Sequence, residues 1–589
     1  LNGGCVSAIL ARMNSPNPPV IGALKPITLV SSNFRWIICA LLFFSTTVNY
    51  MDRQVISYLK EFFCTATAAD GTGGFGWTNS DFANVTTVFT GFYAGMTILA
   101  GWVIDKIGTK LGLALSLIIW SVFGIANAFV GSLTWMHMLV RSAFGIGEAG
   151  NFPASIKTVA EWFPKRERAL ATGIFNSGSN VGAMISALFV PWCLIHFGDQ
   201  QGWKMAFIFT GAIGFLWLIF WFWLYAPPAQ HKGISKAEFD YIHSDRDETK
   251  ADELQDDKSG KQVSGSLISF RGRMSATEFT GLTSMIIFLC LFVYFISRMF
   301  PSLSATGATI LYGIIGAIAF WVNLAAQAKR WHDLGKSAWF LLLNLLPGVG
   351  TIISTLILAI LPGVSGANQF GDAARSGLLG YRQTWAFFFG KFFTDGIWWF
   401  YLFWLPDYLK KQFGMTKHEV MLPTFIVYGI AIIGSVYGGS IPMTLMKRGM
   451  KVYQARMTAM FIIALFPLTV LSTQYFANVS HFGQWASTFA VAVICIGAAA
   501  HQAWSANLFT TVSDMFPKKS VGSVTGIGAM AGGLGGVIVQ KLAGTLTDAF
   551  KENPQHAYLI MFVVCALSYL TAWAFMKAFV PRHKPITDL

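Results

Sequence analysis

Six ionisable residues stand inside otherwise apolar stretches of the chain: Asp52, Arg53, Arg141, Glu148, Lys391 and Asp395. In a lipid interior each costs several kcal/mol unless it is paired. Arg141 and Glu148 are seven residues apart, which puts them on one helix face two turns apart. Lys391 and Asp395 are four apart and can pair directly, so a structural ion pair is the plainer reading for them. Two acids and two arginines in one half exceed what helix packing needs. With all six ionised the charge sums to zero, and an incoming carboxylate makes the site negative. Protonating one acid restores neutrality, which is a physical basis for moving a proton together with an organic anion. Arginine suits that anion because its planar fork bonds both carboxylate oxygens.

These residues need spans to hold them. Of 589 residues, 54% are apolar and only 12% charged, against roughly 25% charged in a soluble domain. That excludes a soluble, disordered or disulfide-stapled chain. Runs of the length a bilayer needs, about 20 residues, begin near positions 36, 83, 111, 135, 169 and 204, and again near 386, 420, 454, 486, 520 and 557. The pattern predicts twelve helices in two groups of six, residues 32–227 and 373–580. A polar stretch, 228–267, holds nine acids and six bases and reads as a charged cytoplasmic linker, part helical. No cleavable signal peptide is expected, and Met13 is a candidate start residue. Cys290, Cys495 and Cys565 lie in apolar runs and read as packing residues.

Lys and Arg mark the inner face. They crowd the second-to-third connection (Lys106, Lys110), the fourth-to-fifth (Lys165, Arg166, Arg168), the eighth-to-ninth (Lys447, Arg448, Lys451) and the tenth-to-eleventh (Lys518, Lys519). Connections 61–81 and 474–484 have none. Both terminal tails, 1–31 and 581–589, are therefore placed in the cytoplasm. Lys410, Lys411 and Lys417 fall on the outer side, against the pattern. The net charge of +14 is thus a topology signal, not a sign of nucleic-acid binding. The halves repeat: Phe163-Pro164-Lys165 recurs as Phe516-Pro517-Lys518 at an offset of 353, which also pairs Gly173 with Gly526 and Gly182 with Gly535. Two similar halves imply rocking about a site at their midplane.

Between spans two and three runs Gly101-x-x-x-Asp105-Lys106-x-Gly108-x-Lys110, with a weaker copy from Gly439 to Lys447-Arg448-Gly449. Its glycines permit close helix approach and a tight turn, and its charges can bridge neighbouring helix ends at a cytoplasmic gate. This loop resembles the signature of the major facilitator superfamily. Asn49-Tyr50-Met51-Asp52-Arg53, Tyr93, and Arg141 with Glu148 resemble, more narrowly, its anion:cation symporter family, over about 20–227 and 380–580. Gly173-Ile-Phe-Asn176-Ser-Gly178-Ser179-Asn180-Val-Gly182, Lys391-Phe-Phe-Thr394-Asp395 with Trp398-Trp399-Phe400-Tyr401, and His501-Gln502-Ala-Trp504-Ser505-Ala-Asn507 resemble its hexuronate branch. The resemblance implies proton coupling at Asp52 and Glu148. It implies substrate contact at Tyr50, Arg53 and Tyr93, with Arg141 beside the acids. Where galactonate carriers place a Gln and an Asn, this chain has Ser179 and Ala529, which disfavours galactonate.

A sugar acid also presents hydroxyls. Asn176, Ser179, Asn180, Gln502, Ser505 and Asn507 can hydrogen-bond them, and Trp398 or Trp399 can stack on a sugar ring, although each polar residue alone is as readily an interhelical hydrogen bond. Lys391, Asp395 and His501 are auxiliary candidates; His501 occupies the repeat position of Glu148. The glycine-rich Gly532-Gly533-x-Gly535-Gly536 lies in a span without a P-loop lysine, and no metal-ligand spacing or nucleophilic triad occurs, so no enzyme, metal or cofactor is expected.

Residues 268–372 fall outside the twelve-span plan. They resemble, over their full length, a small bacterial inner-membrane family of unknown function, through Gly272-Arg273, Glu278-Phe279, Lys329-Arg330-Trp331-His332-Asp333, Gly335-Lys336-Ser337 and Asn368-x-Phe370-Gly371. Two crossings are expected at 277–299 and 304–326. A re-entrant or hairpin element is expected at 337–362, where Leu346-Pro347-Gly348 breaks any straight helix, with Arg330, His332 and Asp333 at the cytoplasmic surface; two short tilted crossings, giving sixteen spans, are the alternative. The reading is therefore an all-α membrane protein: a twelve-helix major facilitator fold of the bacterial inner membrane with an inserted small helical domain. It acts as a monomer that takes up a hexuronate with protons, and the insert is free to meet a further partner. A carrier for an aldonate or aromatic acid, and a non-transporting receptor signalling through the insert, are the alternatives.

Overall fold

The computed structural model describes residues 33–66, 74–244, 269–275, 305–345, 349–361, 378–550 and 552–582, with isolated positions at 278–290, 363–364, 368–370 and 585–586. The tail 1–31 with Met13, most of the linker, most of the crossing 277–299 and Leu346-Pro347-Gly348 lie outside the described residues.

Local chemistry explains where the helices start and stop. α1 (Phe34–Tyr58) carries Asp52 and Arg53. α2 (Asn79–Ile107) opens on a capping box in which Thr78 and Asp81 satisfy each other's backbone N–H groups. Gly108, at φ +86°, turns α2 into α3 (Thr109–Ala126), a conformation that other residues rarely adopt. α4 (Thr134–Glu148) and α5 (Asn151–Trp162) form one interrupted rod that leaves Glu148 at the break. Close packing on α3 sets that break: a Cβ at Gly147 would lie 2.4 Å from the Trp120 backbone nitrogen, and one at Gly150 1.9 Å from Ser116 Oγ. α6 (Arg168–Leu224) comprises two helices meeting at Gly198, φ +70°.

The second group is α10 (Arg382–Phe413), α11 (Lys417–Lys447), α12 (Val452–Leu465, continued as 3-10 turns), α13 (Ala486–Met515), α14 (Val521–Ala549) and α15 (Pro554–Phe579). Between the groups lie α7 (Lys236–Ile242), α8 (Ala305–Asp333) and α9 (Val349–Ile360). Among the described residues nine helices are long and apolar enough to cross a membrane. Of the three lysines that broke the expected charge pattern, Lys410 and Lys411 sit in the last turn of α10, where a helix C-terminus favours cations, and Lys417 opens α11; Lys411 also pairs with Asp407 at 2.8 Å.

The 353-residue repeat is visible in the packing. A Cβ at Gly173 would lie 2.3 Å from the Ser435 carbonyl oxygen, and one at Gly526 2.3 Å from that of Thr97. Gly182 lies as close to the Thr47 carbonyl as Gly535 does to that of Phe392. Both pairs join equivalent helices of the two groups.

Two segments outside the expected spans pack against the bundle. Glu238 of α7 is fully buried. It accepts from the backbone N–H groups of Phe34 and Arg35 (3.1 and 3.0 Å) and pairs with the Arg35 guanidinium, so it caps the start of α1 from a distance. Tyr241 donates to Glu167 at 2.5 Å, and burial with that carboxylate raises its hydroxyl to about 12, so it stays a donor. In the C-terminal tail the Ile586 N–H donates to the Met515 carbonyl at 2.9 Å, and Ile586 is buried.

Residues of 268–372 have a core of their own: Met274, Phe279, Leu282, Ala326, Trp331 and Leu358. Arg330, His332 and Asp333 are buried beside it. Arg273 pairs with Asp333 at 2.8 Å, Arg330 pairs with the same carboxylate, and the carbonyls of Leu358, Leu361 and Val364 accept from the two guanidinia. His332 stacks on Phe370 with ring centroids 4.0 Å apart. This closed polar set ties the end of α8 to the segment after α9.

Candidate functional site

The charged residues of the first group assemble together. Arg53 Nε donates to Glu148 Oε2 at 2.9 Å, and Nη2 lies 2.8 Å from the same oxygen. The guanidinium sits over the rings of Tyr50 (4.7 Å), Tyr93 (4.5 Å) and Phe89 (5.5 Å), so aromatic faces replace water around the cation. Behind it, Arg141 lies between Phe89 and Phe144, with one nitrogen 3.5 Å from the Arg53 carbonyl. Asp52 is buried near Arg141, Thr210 and Trp120, and neither carboxylate oxygen has a hydrogen-bond partner among the described residues.

A cavity opens in front of Arg53. Tyr50, Arg53, Tyr93, Asn176 and Ser179 face it from the first group; Lys391, Asp395, Trp398, His501, Gln502 and Ser505 face it from the second. Lys391 Nζ is 2.6 Å from Asp395 Oδ2 and 4.0 Å from the Phe509 ring centroid. His501 stacks on Trp398 (5.1 Å, 8°) and shares a 2.8 Å hydrogen bond with the Tyr569 hydroxyl. Asn176 donates to Gln502 at 2.8 Å across the two groups. One cavity therefore offers a cation ringed by aromatics, an ion pair, a flat indole and several amides and hydroxyls.

Arg141, Asn180 and Asn507 do not face this cavity. Asn507 donates to the carbonyls of Gly438 and Ala503, tying α13 to α11. Asp52 and Glu148 lie in the layer behind Arg53. Trp399, the alternative stacking candidate, also lines the cavity, as do Phe152, Phe509 and Leu402, which side-chain type gave no reason to select. Phe152 and Phe509 stack at 5.5 Å across the two groups and floor the cavity on its basic-loop side. The one available signal is position: Phe152 follows Glu148 by a single helical turn.

On that side the groups are latched. The Asp105 carboxylate accepts from Gly522 N (3.1 Å), Ser523 N (2.7 Å) and Ser523 Oγ (2.6 Å) at the start of α14, and Lys157 pairs with it at 3.0 Å. A Cβ at Gly101 would lie 2.2 Å from the Gly522 carbonyl oxygen. Lys106 lies over the Trp102 ring, and Lys110 donates to the Phe222 carbonyl. A second brace runs from Arg168 to the Ser513 carbonyl (2.5 Å) and to Asp514 (3.8 Å), which Arg456 also holds at 2.6 Å.

Comparison with known proteins gives this arrangement a family. Residues 42–371 and 387–588 match the family model of the Major Facilitator Superfamily. A hexuronate transporter of Escherichia coli (strain K12) is 23% identical over 557 residues, covering 94% of this chain and 96% of that protein. A D-galactonate transporter of Escherichia coli O6:H1 is 23% identical over 541 residues, covering 91% and 95%. A galacturonate transporter of Dickeya chrysanthemi is 32% identical over 211 residues, which is 36% of this chain and 57% of that protein. The solved structure of the proton:xylose symporter XylE bound to 6-bromo-6-deoxy-D-glucose has the same fold, with a TM-score of 0.55 at 13% identity over 94% of this chain and 98% of that one. With its helical bundle and repeat-related halves around one cavity, this multi-pass membrane protein belongs to the major facilitator superfamily and is a transporter, not an enzyme.

Proposed function

We propose that the chain is a twelve-span, proton-coupled symporter of a bacterial inner membrane that imports a hexuronate, galacturonate or glucuronate, by alternating access, with both termini cytoplasmic. The observation that carries this reading is the Arg53–Glu148 pair at the cavity wall, ringed by Tyr50 and Tyr93. A substrate carboxylate arriving at Arg53 competes with Glu148 for one guanidinium. Protonation of Glu148 releases the guanidinium and removes a negative charge, so proton and anion favour each other's binding. Asp52, buried beside Arg141, is the second proton site, and Arg141 sets the field between the two acids. The hydroxylated end of the substrate falls to Asn176, Ser179, Gln502 and Ser505, with Trp398 under the ring. Ser179 and Ala529 both line the cavity, so the two departures from galactonate carriers lie where a substrate would touch them. One chain supplies both walls of the site, which supports a monomeric transport unit.

The relatives named for hexuronate and galacturonate agree with this assignment. The test is uptake of labelled galacturonate into proteoliposomes under an imposed pH gradient. The wild type should accumulate the acid. Glu148→Gln should lose gradient-driven accumulation at least a hundredfold while keeping substrate exchange. Full accumulation in that variant would remove Glu148 from the coupling role, and no uptake of either hexuronate by the wild type would overturn the substrate assignment.

A further inference from the structure

Arg53 and Lys391 face one cavity from opposite halves, and each already has an acid. The two acids sit differently. The Glu148 side chain is fully buried behind Arg53, whereas Asp395 keeps 19% of its side-chain surface exposed and itself faces the cavity. A ligand at the first pole therefore meets a guanidinium, and a ligand at the second meets an ammonium and a carboxylate side by side. That second pole is built tightly. A Cβ at Gly532 would lie 2.1 Å from Asp395 Oδ2, so α14 has no side chain where the carboxylate rests. Phe509 lies under Lys391 Nζ, and Trp398 faces the cavity less than one turn beyond Asp395.

We propose that Asp395 is a specificity-determining residue: with Lys391 it receives the neutral, hydroxylated end of a sugar monoacid and rejects a sugar diacid. This rests on the sugar-acid reading above and adds which end of the substrate lies where. A hydroxyl both donates and accepts, so vicinal hydroxyls satisfy carboxylate and ammonium together. A second substrate carboxylate only accepts. It would approach Asp395 as a like charge, which disfavours having both ionised. Charge balance agrees. Arg53, Glu148, Lys391 and Asp395 sum to zero, so a monoacid is neutralised by one proton, while a diacid leaves one negative charge more. Replacing Asp395 by Asn adds one positive charge at the pole and frees the Lys391 ammonium for a carboxylate.

Galacturonate and galactarate share their hydroxyl pattern and differ at one terminal carbon, so they are the probes. In proteoliposomes of the wild type, unlabelled galactarate should compete with labelled galacturonate at least tenfold more weakly than unlabelled galacturonate does. Asp395→Asn should shift that ratio by at least tenfold toward galactarate. If the variant does not transport, thermal stabilisation of the purified variant by each acid reads the same ratio. Equal competition in the wild type, or an unchanged ratio in the variant, overturns the proposal and leaves sugar-acid transport standing. A wild type that neither transports nor is stabilised by any sugar acid overturns both.

Discussion

Two seams join the halves on the basic-loop side, and they are copies of each other in backbone but not in charge. In one, α2 meets α14; in the other, α11 meets the first arm of α6. An offset of 338 residues relates Thr97 to Ser435 and Gly101 to Gly439. The Thr97 hydroxyl donates to the Gly526 carbonyl (3.2 Å), and the Ser435 hydroxyl donates to the Gly173 carbonyl (2.8 Å). Gly101 lies against the Gly522 carbonyl as Gly439 lies against that of Ala169. At the next turn the symmetry ends. Asp105 bonds the start of α14, and its counterpart by the same offset is Met443. The second seam is instead braced by Arg168 reaching over to Ser513 and Asp514. Glycine contacts set how closely the halves approach, and charges decide how firmly each seam holds.

The largest break in this comparison is steric. Gly101→Leu and Gly439→Leu each place side-chain atoms where a carbonyl already stands, 2.2 and 2.4 Å from the first added carbon. Overpacking at this level costs about 3 kcal/mol or more, roughly a hundredfold against the latched arrangement. Distances between spin labels on the basic loops of the two halves should lengthen in both variants. If only one variant opens, the seams are not equivalent in backbone packing.

A smaller effect is expected from Asp105→Asn. It removes the charge paired with Lys157 and one of the two acceptors serving three donors. Such bonds contribute on the order of 1–3 kcal/mol, so the open population read by the same labels should rise about tenfold. Met443→Ala at the matching position should leave them unchanged. An equal response from both would remove the charge asymmetry that separates the seams.

How much of this was legible in the sequence depends on the kind of residue. Intramembrane charges are costly enough to announce themselves: Arg53, Lys391 and Asp395 line one cavity, and Glu148 pairs with Arg53 from behind. Glycines recurring at one offset announced close approach, and Gly173 and Gly526 make matching contacts. Uncharged polar residues announce nothing about direction. Asn176 and Ser179 face the cavity, while Asn180, one position on, is buried and does not line it. The floor made by Phe152 and Phe509 was hidden for a related reason: an aromatic in a span is equally at home against lipid, core or substrate. Pairings across hundreds of residues, such as Asp105 with Ser523 or Glu238 with Arg35, have no local signature at all.

The last of these pairings gives the smallest prediction and the sharpest control. Tyr241 and Arg35 both bond Glu167, Glu238 holds Arg35 from the other side, and Arg168, the neighbour of Glu167, braces the second seam. The α7 contacts described here are with the first half, so they should stabilise that half without favouring either arrangement of the seams. Glu238→Gln keeps the shape but weakens the cap on Phe34 and Arg35 and leaves Arg35 to Glu167 alone. Loss of a cap costs about 1 kcal/mol. The purified protein should therefore melt a few degrees lower, and amide exchange should quicken at the start of α1 and in α7. The label distances across both seams should stay at wild-type values. A shift in those distances would mean that the linker helix acts on the gate through Glu167, and the two seams would then differ in control as well as in charge.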